Sequence, residues 1–373
     1  MFYAMPNNVL LWNFRFFLKT FNLFALDKRI SYFEDISLLK DNSVKRWSFL
    51  CLLLFGLVPF VLAEYQVFIA NLVLVNVIIV LGLNVLIGNT GQISLGHGGF
   101  VAIGAYMTVI LDEQWLPFLP SLILAGFVAA LFGFILGIPA LKLEGPYLAV
   151  ATLGFGLAIT TIIGRMPFFG GHMGIIPPPL KVLGMEMTSN THFYYLCLSI
   201  ALLMGVFARL LIRSKIGRAF SAIRDSDIAA SSLGVNVVWY KTMSFAFSAF
   251  YAGVGGGIWA YVLGFISPGN FTPVLSILLL SMVVVGGSGS ITGSILGATV
   301  ITLLNLQGEK IQELPLIGPF FEWVSAHYMS ISGLPNINFV FMGLTVILII
   351  LFEPLGLFGI WLRIKIYFKT WPF

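Results

Sequence analysis

Ten runs of apolar residues punctuate the chain, at 48–63, 66–87, 98–111, 116–138, 147–163, 193–212, 242–264, 273–286, 290–306 and 338–361. About 20 apolar residues in a helix cross a ~30 Å hydrocarbon core, and no run shows the two-residue alternation of a barrel strand. The pattern predicts an all-α, polytopic transmembrane helical bundle of about ten membrane segments. The run at 98–111 and the two beside residue 288 are short and lie next to glycine-rich breaks. Gly286-Gly287-Ser288-Gly289-Ser290 divides 273–306 in two, as a pair of crossings or as a re-entrant hairpin. Between the runs, 164–192 and 307–337 carry too much glycine and proline for continuous helix.

Ahead of the first run, Val9–Leu26 is apolar but interrupted by Arg15 and Lys19, with Trp12, Phe16 and Phe21 between. Cations and aromatics mixed this way predict a helix lying in the membrane interface. The organisation expected is an N-terminal cytoplasmic or interfacial extension at 1–47, a transmembrane domain at 48–361 and a cytoplasmic tail at 362–373. No segment reads as a cleavable signal peptide.

Composition narrows the class. Only 9% of the 373 residues are charged and 59% are hydrophobic, where a soluble domain carries roughly 25% charged residues. A soluble enzyme, a nucleic-acid binder and a disordered chain are excluded. Cys51 and Cys197 both sit in apolar runs, so neither a disulfide framework nor zinc spacing is present.

Charge then orients the chain. With the N-terminus inside and ten crossings, the inner segments hold seventeen of the twenty Lys and Arg residues, and the outer ones hold Arg165, Lys181 and Lys310. This is the positive-inside distribution of a plasma-membrane protein. It also supports the break near residue 288, since a single helix over 273–306 would put Arg363, Lys365 and Lys369 outside.

Chemistry is sparse. There is no G-x-x-x-x-G-K-[ST] phosphate loop, no H-E-x-x-H and no G-x-S-x-G. His97, His172, His192 and His327 fall on separate segments, so no metal and no cofactor are expected. The helix interiors are almost free of charge, which speaks against an ion-coupled secondary carrier. A sodium site made of hydroxyls and carbonyls keeps that class as the alternative.

The most informative stretch is the inner loop 213–236. Asp225 or Ser226 can cap a short helix and Gly234 fits its C′ position. Arg218, Arg224 and Asp227 lie on or beside it, and the pair Ala229-Ala230 offers a smooth face for another protein.

Three places in the chain resemble the permease subunits of branched-chain amino acid ATP-binding cassette transporters, in their LivM-like branch. They are Gly88-Asn89-Thr90-Gly91-Gln92-Ile93-Ser94-Leu95-Gly96-His97-Gly98-Gly99-Phe100, the loop from Gly217-Arg218-Ala219 to Gly234-Val235-Asn236, and Ser267-Pro268 through Gly286-Gly287-Ser288-Gly289-Ser290 to Gly297. The likeness covers about 50–360. It implies the membrane half of an importer in a bacterial inner membrane, working with a second, LivH-like permease. Two cytoplasmic ATPases (LivG- and LivF-like) and an extracytoplasmic binding protein complete the set. By that resemblance the loop corresponds to the coupling helix that docks on an ATPase; in the wider importer group a Glu directly precedes the Ala-Ala pair, and here Ile228 stands there, with Asp227 one residue earlier. The cargo implied is a branched-chain amino acid, with urea, short-chain amides or other amino acids as alternatives within the family.

A transport role needs a polar path and moving parts. Asn84, Gln92, Ser94, Thr152 and Thr160 are neutral polar residues that suit a zwitterionic head; the competing reading is hydrogen bonding between helices. Gly91, Gly96 and Gly98, with Gly286, Gly287 and Gly289, mark unwound backbone, which a membrane tolerates only around a cavity or inside protein.

Overall fold

A computed structural model describes residues 53–140, 143, 145–182, 184–312, 337–353 and 355–370. The interfacial helix expected within 1–47 and most of the 307–337 connection lie outside the described residues. From Leu54 on, the described residues belong to one compact unit.

Helix follows the apolar runs. Residues 54–61 are helical. After them come α1 (Glu64–Asn84), α2 (His97–Gln114), α3 (Phe118–Ala140), α4 (Pro146–Arg165) and α5 (Asn190–Arg213). Two short helices, α6 (Lys215–Asp225) and α7 (Asp227–Ser232), precede α8 (Val237–Leu263). The chain closes with α9 (Pro273–Gly286), α10 (Ile291–Gln312), α11 (Ile337–Phe352) and α12 (Gly356–Thr370). Five of these helices are long and apolar enough to cross a membrane, and α11 with α12 make a bent sixth candidate. At 14 residues, α9 is ~21 Å long at 1.5 Å per residue, short of a ~30 Å core.

The core forms around α8, which packs against α1, α2 and α3. Its buried Gly253-Val254-Gly255-Gly256-Gly257 run removes side chains where neighbours cross. A Cβ on Gly104 of α2 would sit 2.1 Å from the Gly253 carbonyl oxygen, so the two backbones touch. Lipid tails are as apolar as leucine, and helices in a membrane gain adhesion from such close packing. On the far side of α8, Tyr251 is buried and its hydroxyl donates to the Met204 carbonyl of α5 at 2.9 Å.

The connection at 166–189 is irregular, with two 3-10 turns and a small hairpin of β1 (Lys181–Val182) and β2 (Met185–Glu186). Backbone hydrogen bonds of 2.9 and 3.1 Å tie Ile175 to Ile266, fastening this connection to the chain beyond α8.

Two boundaries differ from the sequence reading. The 338–361 run is not one helix, because α11 and α12 meet at a 47° bend. Glu353 precedes a proline in the sequence, which disfavours α geometry at Glu353, and Gly356 restarts the helix at φ 65°. The Arg363 guanidinium grips the Glu353 carboxylate across the bend at 2.7 and 2.9 Å. The helix then runs on to Thr370, so the expected tail from residue 362 is mostly helical.

Candidate functional site

The glycine-rich break after α1 is ordered by hydrogen bonds to three other helices. α1 first widens into a π-turn at Val85–Asn89. The chain then leaves helical geometry until His97 opens α2, with Gly91 at φ 73°. Buried polar groups in a membrane gain from partners within the protein, and most of those in this break have one. The Gln92 side-chain amide donates to the Ser244 hydroxyl at 3.1 Å and to Thr90 at 3.3 Å. The Leu95 N–H donates to Thr152 Oγ1 of α4 at 2.9 Å, and the Gly98 N–H donates to Ser276 Oγ of α9 at 2.8 Å. His97, fully buried, lies between Ser94 Oγ (3.0 Å from Nδ1) and Ser248 Oγ (2.6 Å from Nε2), and its ring meets Phe100 edge-on.

The second break touches the first. Asn84 Oδ1 accepts a 2.7 Å bond from the Gly289 N–H, and a Cβ on Gly88 would lie 2.1 Å from the Gly289 nitrogen. Gly286 packs on Gly293 of α10 in the same way. Gly287, at φ 106°, abuts the Leu355 carbonyl, which brings the α11–α12 bend to the same place. Two buried side-chain atoms here have no hydrogen-bond partner, Asn84 Nδ2 and Asn89 Oδ1.

Arg224, on α6, reaches into this junction. Its Nη1 donates to the Gly88 carbonyl at 2.5 Å, and its side chain runs past Gly91 and Gly289. The arginine thereby connects the loop helices to both breaks. Gly88 lies in the last turn before the chain leaves helical geometry, where carbonyls lack a partner within the helix and stay open to an acceptor role.

The loop itself is a pair of capped helices. Ser214 caps α6 through the Ile216 and Gly217 N–H groups, and Ser226 caps α7 through the Ala229 N–H at 3.3 Å. Gly234 ends α7 at φ 82°. Arg218 is exposed, with its Nη1 donating to the Arg213 carbonyl at 3.4 Å. Asp227 forms an ion pair with Lys241 at the start of α8. Ala229 and Ala230 do not form one outward face: Ala230 is buried at 1% exposure and Ala229 is exposed. The outward surface is instead apolar and larger, with Ile228 at 81% and Leu233 at 82%.

Of the polar residues expected along a path, Asn84, Gln92, Ser94 and Thr152 come together at the breaks. Thr160 does not join them; its hydroxyl donates within α4 to the Gly156 and Leu157 carbonyls. The sequence reading passed over Ser244, Ser248, Ser276 and Lys241. Ser244 and Ser248 recur at i, i+4 on a mostly apolar helix, and that spacing was the available signal. Lys241, a lone cation in α8, needed a partner in the loop.

These elements fall within a match to known proteins. A family described as "Branched-chain amino acid transport system / permease component" matches residues 65–351. The branched-chain amino acid permease protein LivM of Salmonella typhimurium is 36% identical over 291 residues, covering 70% of this chain and 68% of the relative. LivM of Escherichia coli aligns with the same identity and coverage. A probable LivH permease of Methanocaldococcus jannaschii is 24% identical over 60% of this chain and 74% of its own length. No solved structure matches.

Proposed function

The chain belongs to the permease-component family of branched-chain amino acid transport systems, and from that premise we propose that it is the membrane-spanning subunit of an ATP-binding cassette importer for branched-chain, hydrophobic amino acids. It works in a bacterial inner membrane with the 213–236 loop and both termini in the cytoplasm. Its partners are a second, LivH-like permease, two LivG- and LivF-like ATPases that hydrolyse ATP, and an extracytoplasmic binding protein.

The observation that carries the coupling step is the Arg224 bond to the Gly88 carbonyl. Ile228 and Ala229 on α7, with Leu233 just after it, form the docking surface for an ATPase, with Arg218 beside it. α7 is capped directly onto the end of α6, so a push on α7 reaches Arg224 and the junction of the two breaks. Parting Gly88 from Gly289 opens the backbone seam around Gly91, Gly96, Gly98, Gly286 and Gly287. A ligand can shift such an equilibrium only by binding the two states differently, and ATP on the partner subunits supplies that difference. The unpartnered Asn84 and Asn89 amide atoms find partners in the other state or on the amino acid's polar head, with Gln92, Ser94 and Thr152 alongside.

The test is reconstitution of the chain with its partners in liposomes. Uptake of labelled leucine that needs ATP and binding protein is the expected result. Uptake driven by an ion gradient with this chain alone overturns the reading, and ATP-dependent uptake of urea or a short-chain amide in place of leucine overturns the cargo.

A further inference from the structure

Tyr106 stands on α2 about two turns beyond Gly98, ~12 Å along the helix at 1.5 Å per residue. It is fully buried, and its hydroxyl has no hydrogen-bond partner among the described residues. The other buried tyrosines differ. Tyr194 donates to the Phe55 carbonyl, Tyr251 to the Met204 carbonyl and Tyr261 to the Asp112 carboxylate. A buried tyrosine ordinarily finds such a partner, so the orphaned hydroxyl asks for a reason beyond packing.

Aromatic rings enclose this side chain. Phe169 meets the Tyr106 ring edge-on at 5.8 Å between centroids, and Phe271 lies tilted at 6.0 Å. Trp259 of α8 backs Phe271 edge-on at 5.3 Å. Phe169 and Phe271 sit in the 3-10 turns Pro167–Phe169 and Pro268–Phe271, at the end of α8 away from the loop helices. The backbone pairing of Ile175 with Ile266 fastens the two connections into one cover. They lie so close that a Cβ on Gly174 would sit 2.2 Å from the Ile266 carbonyl oxygen. The cover is also joined to the first break. A Cβ on Gly98 would lie 3.4 and 3.5 Å from the Thr272 and Phe271 carbonyl oxygens, and the Gly98 N–H donates to Ser276 in the helix that follows. A shift of the break at Gly98 is therefore passed to Phe271, and so to the surroundings of the Tyr106 hydroxyl.

One neutral donor among apolar rings has the chemistry of a small-molecule site, where a few polar groups orient the ligand and apolar walls take the rest. A phenol donates to a carboxylate without bringing a charge of its own into the membrane. We propose that Tyr106 is a cargo-contacting, specificity-determining residue. Once Phe169 and Phe271 withdraw, its hydroxyl donates to the carboxylate of an apolar amino acid, and the rings flank that amino acid's side chain. This role rests on the reading of the chain as an amino acid permease.

The experiment follows photo-leucine, a diazirine analogue of leucine, through the importer reconstituted with its partners, binding protein and ATP. Irradiation during turnover labels whatever the cargo touches, and the labelled peptides are mapped by mass spectrometry in the wild type and in Tyr106→Phe. Leucine uptake and thermal unfolding are measured on the same preparations. The wild type is expected to carry label on the segments that hold Tyr106 and Phe271. Tyr106→Phe is expected to lose that label several-fold and to need several-fold more leucine-loaded binding protein for half-maximal uptake. Its unfolding temperature should be no lower than the wild type's, since no hydrogen bond within the protein is removed. Label confined to other segments overturns the proposal, and this map decides the matter even if the variant fails to assemble. Unchanged label and uptake in Tyr106→Phe also overturn it. Unchanged uptake with a lowered unfolding temperature does the same, assigning the hydroxyl to a buried bridging water. A wild type that takes up no leucine is a separate result, seen before any variant is compared: it strikes the amino acid reading and the role of Tyr106 together.

Discussion

Arg224 is a residue whose role depends on what it touches rather than on its charge. A hydrogen bond from a charged donor contributes about 1.5–3 kcal/mol, and this one ends on a carbonyl at the seam between two breaks. Arg224→Gln is expected to lower uptake per ATP hydrolysed roughly tenfold or more, the equivalent of ~1.4 kcal/mol, while the chain still inserts. The ratio of leucine uptake to ATP hydrolysis in proteoliposomes measures it, and an unchanged ratio removes Arg224 from the coupling route. The two threonines of α4 make a matched pair for stability. Thr152→Val strands the part-buried Leu95 N–H, which costs about 1 kcal/mol, so thermal unfolding is expected at a lower temperature. Thr160→Val loses only a bond to its own helix and is expected to unfold with the wild type. Such differences were not legible in the sequence, where both threonines are neutral polar residues in one apolar run. Only the partner across the helix gap separates them.

At the scale of elements, helix existence was legible and helix continuity less so. Apolar runs located α1 to α5 and α8 to α10 because bilayer-length helix needs sustained apolar sequence. The bend after Glu353 was overlooked because its signal is one proline and one glycine in an otherwise apolar stretch. In the loop, the cap at Ser226 and the stop at Gly234 were readable, since capping is local chemistry. The inward turn of Ala230 was not, because the angle at which α7 meets the bundle is set by α6 and by the Asp227–Lys241 pair. Two element-scale expectations follow from the packing. Ile228→Asp or Leu233→Asp changes a side chain more than 80% exposed, so the permease should remain folded while its association with the ATPase subunits in pull-down is lost. Gly104→Val drives a side chain into the Gly253 backbone; overpacking of this kind costs about 1–3 kcal/mol, and yield and thermal stability of the purified chain should both fall.

At the scale of the molecule, the charged groups sort to the two ends of the bundle. Arg209, Arg213 and Arg224 gather around one cavity at the end where the breaks and the loop helices meet. Asp112, Glu113 and Lys181 gather around another, on the side of the 166–189 connection. Under the positive-inside rule the proposed orientation puts the cation-rich end in the cytoplasm, and that proposal decides which end an ATPase can reach. Cysteine labelling tests it directly, because the chain's own Cys197 is buried and both native cysteines can be replaced by alanine. With that background, Lys181→Cys is expected to react with a membrane-impermeant maleimide in intact cells. Ala229→Cys is expected to react only in inside-out vesicles, and to be shielded there once the ATPase subunits are bound. The reverse pattern would turn the molecule over and place α7 where no ATPase could dock. Labelling of Ala229→Cys from the inside with no shielding would keep the orientation and remove α7 as the docking element, so the two halves of the reading stand or fall separately.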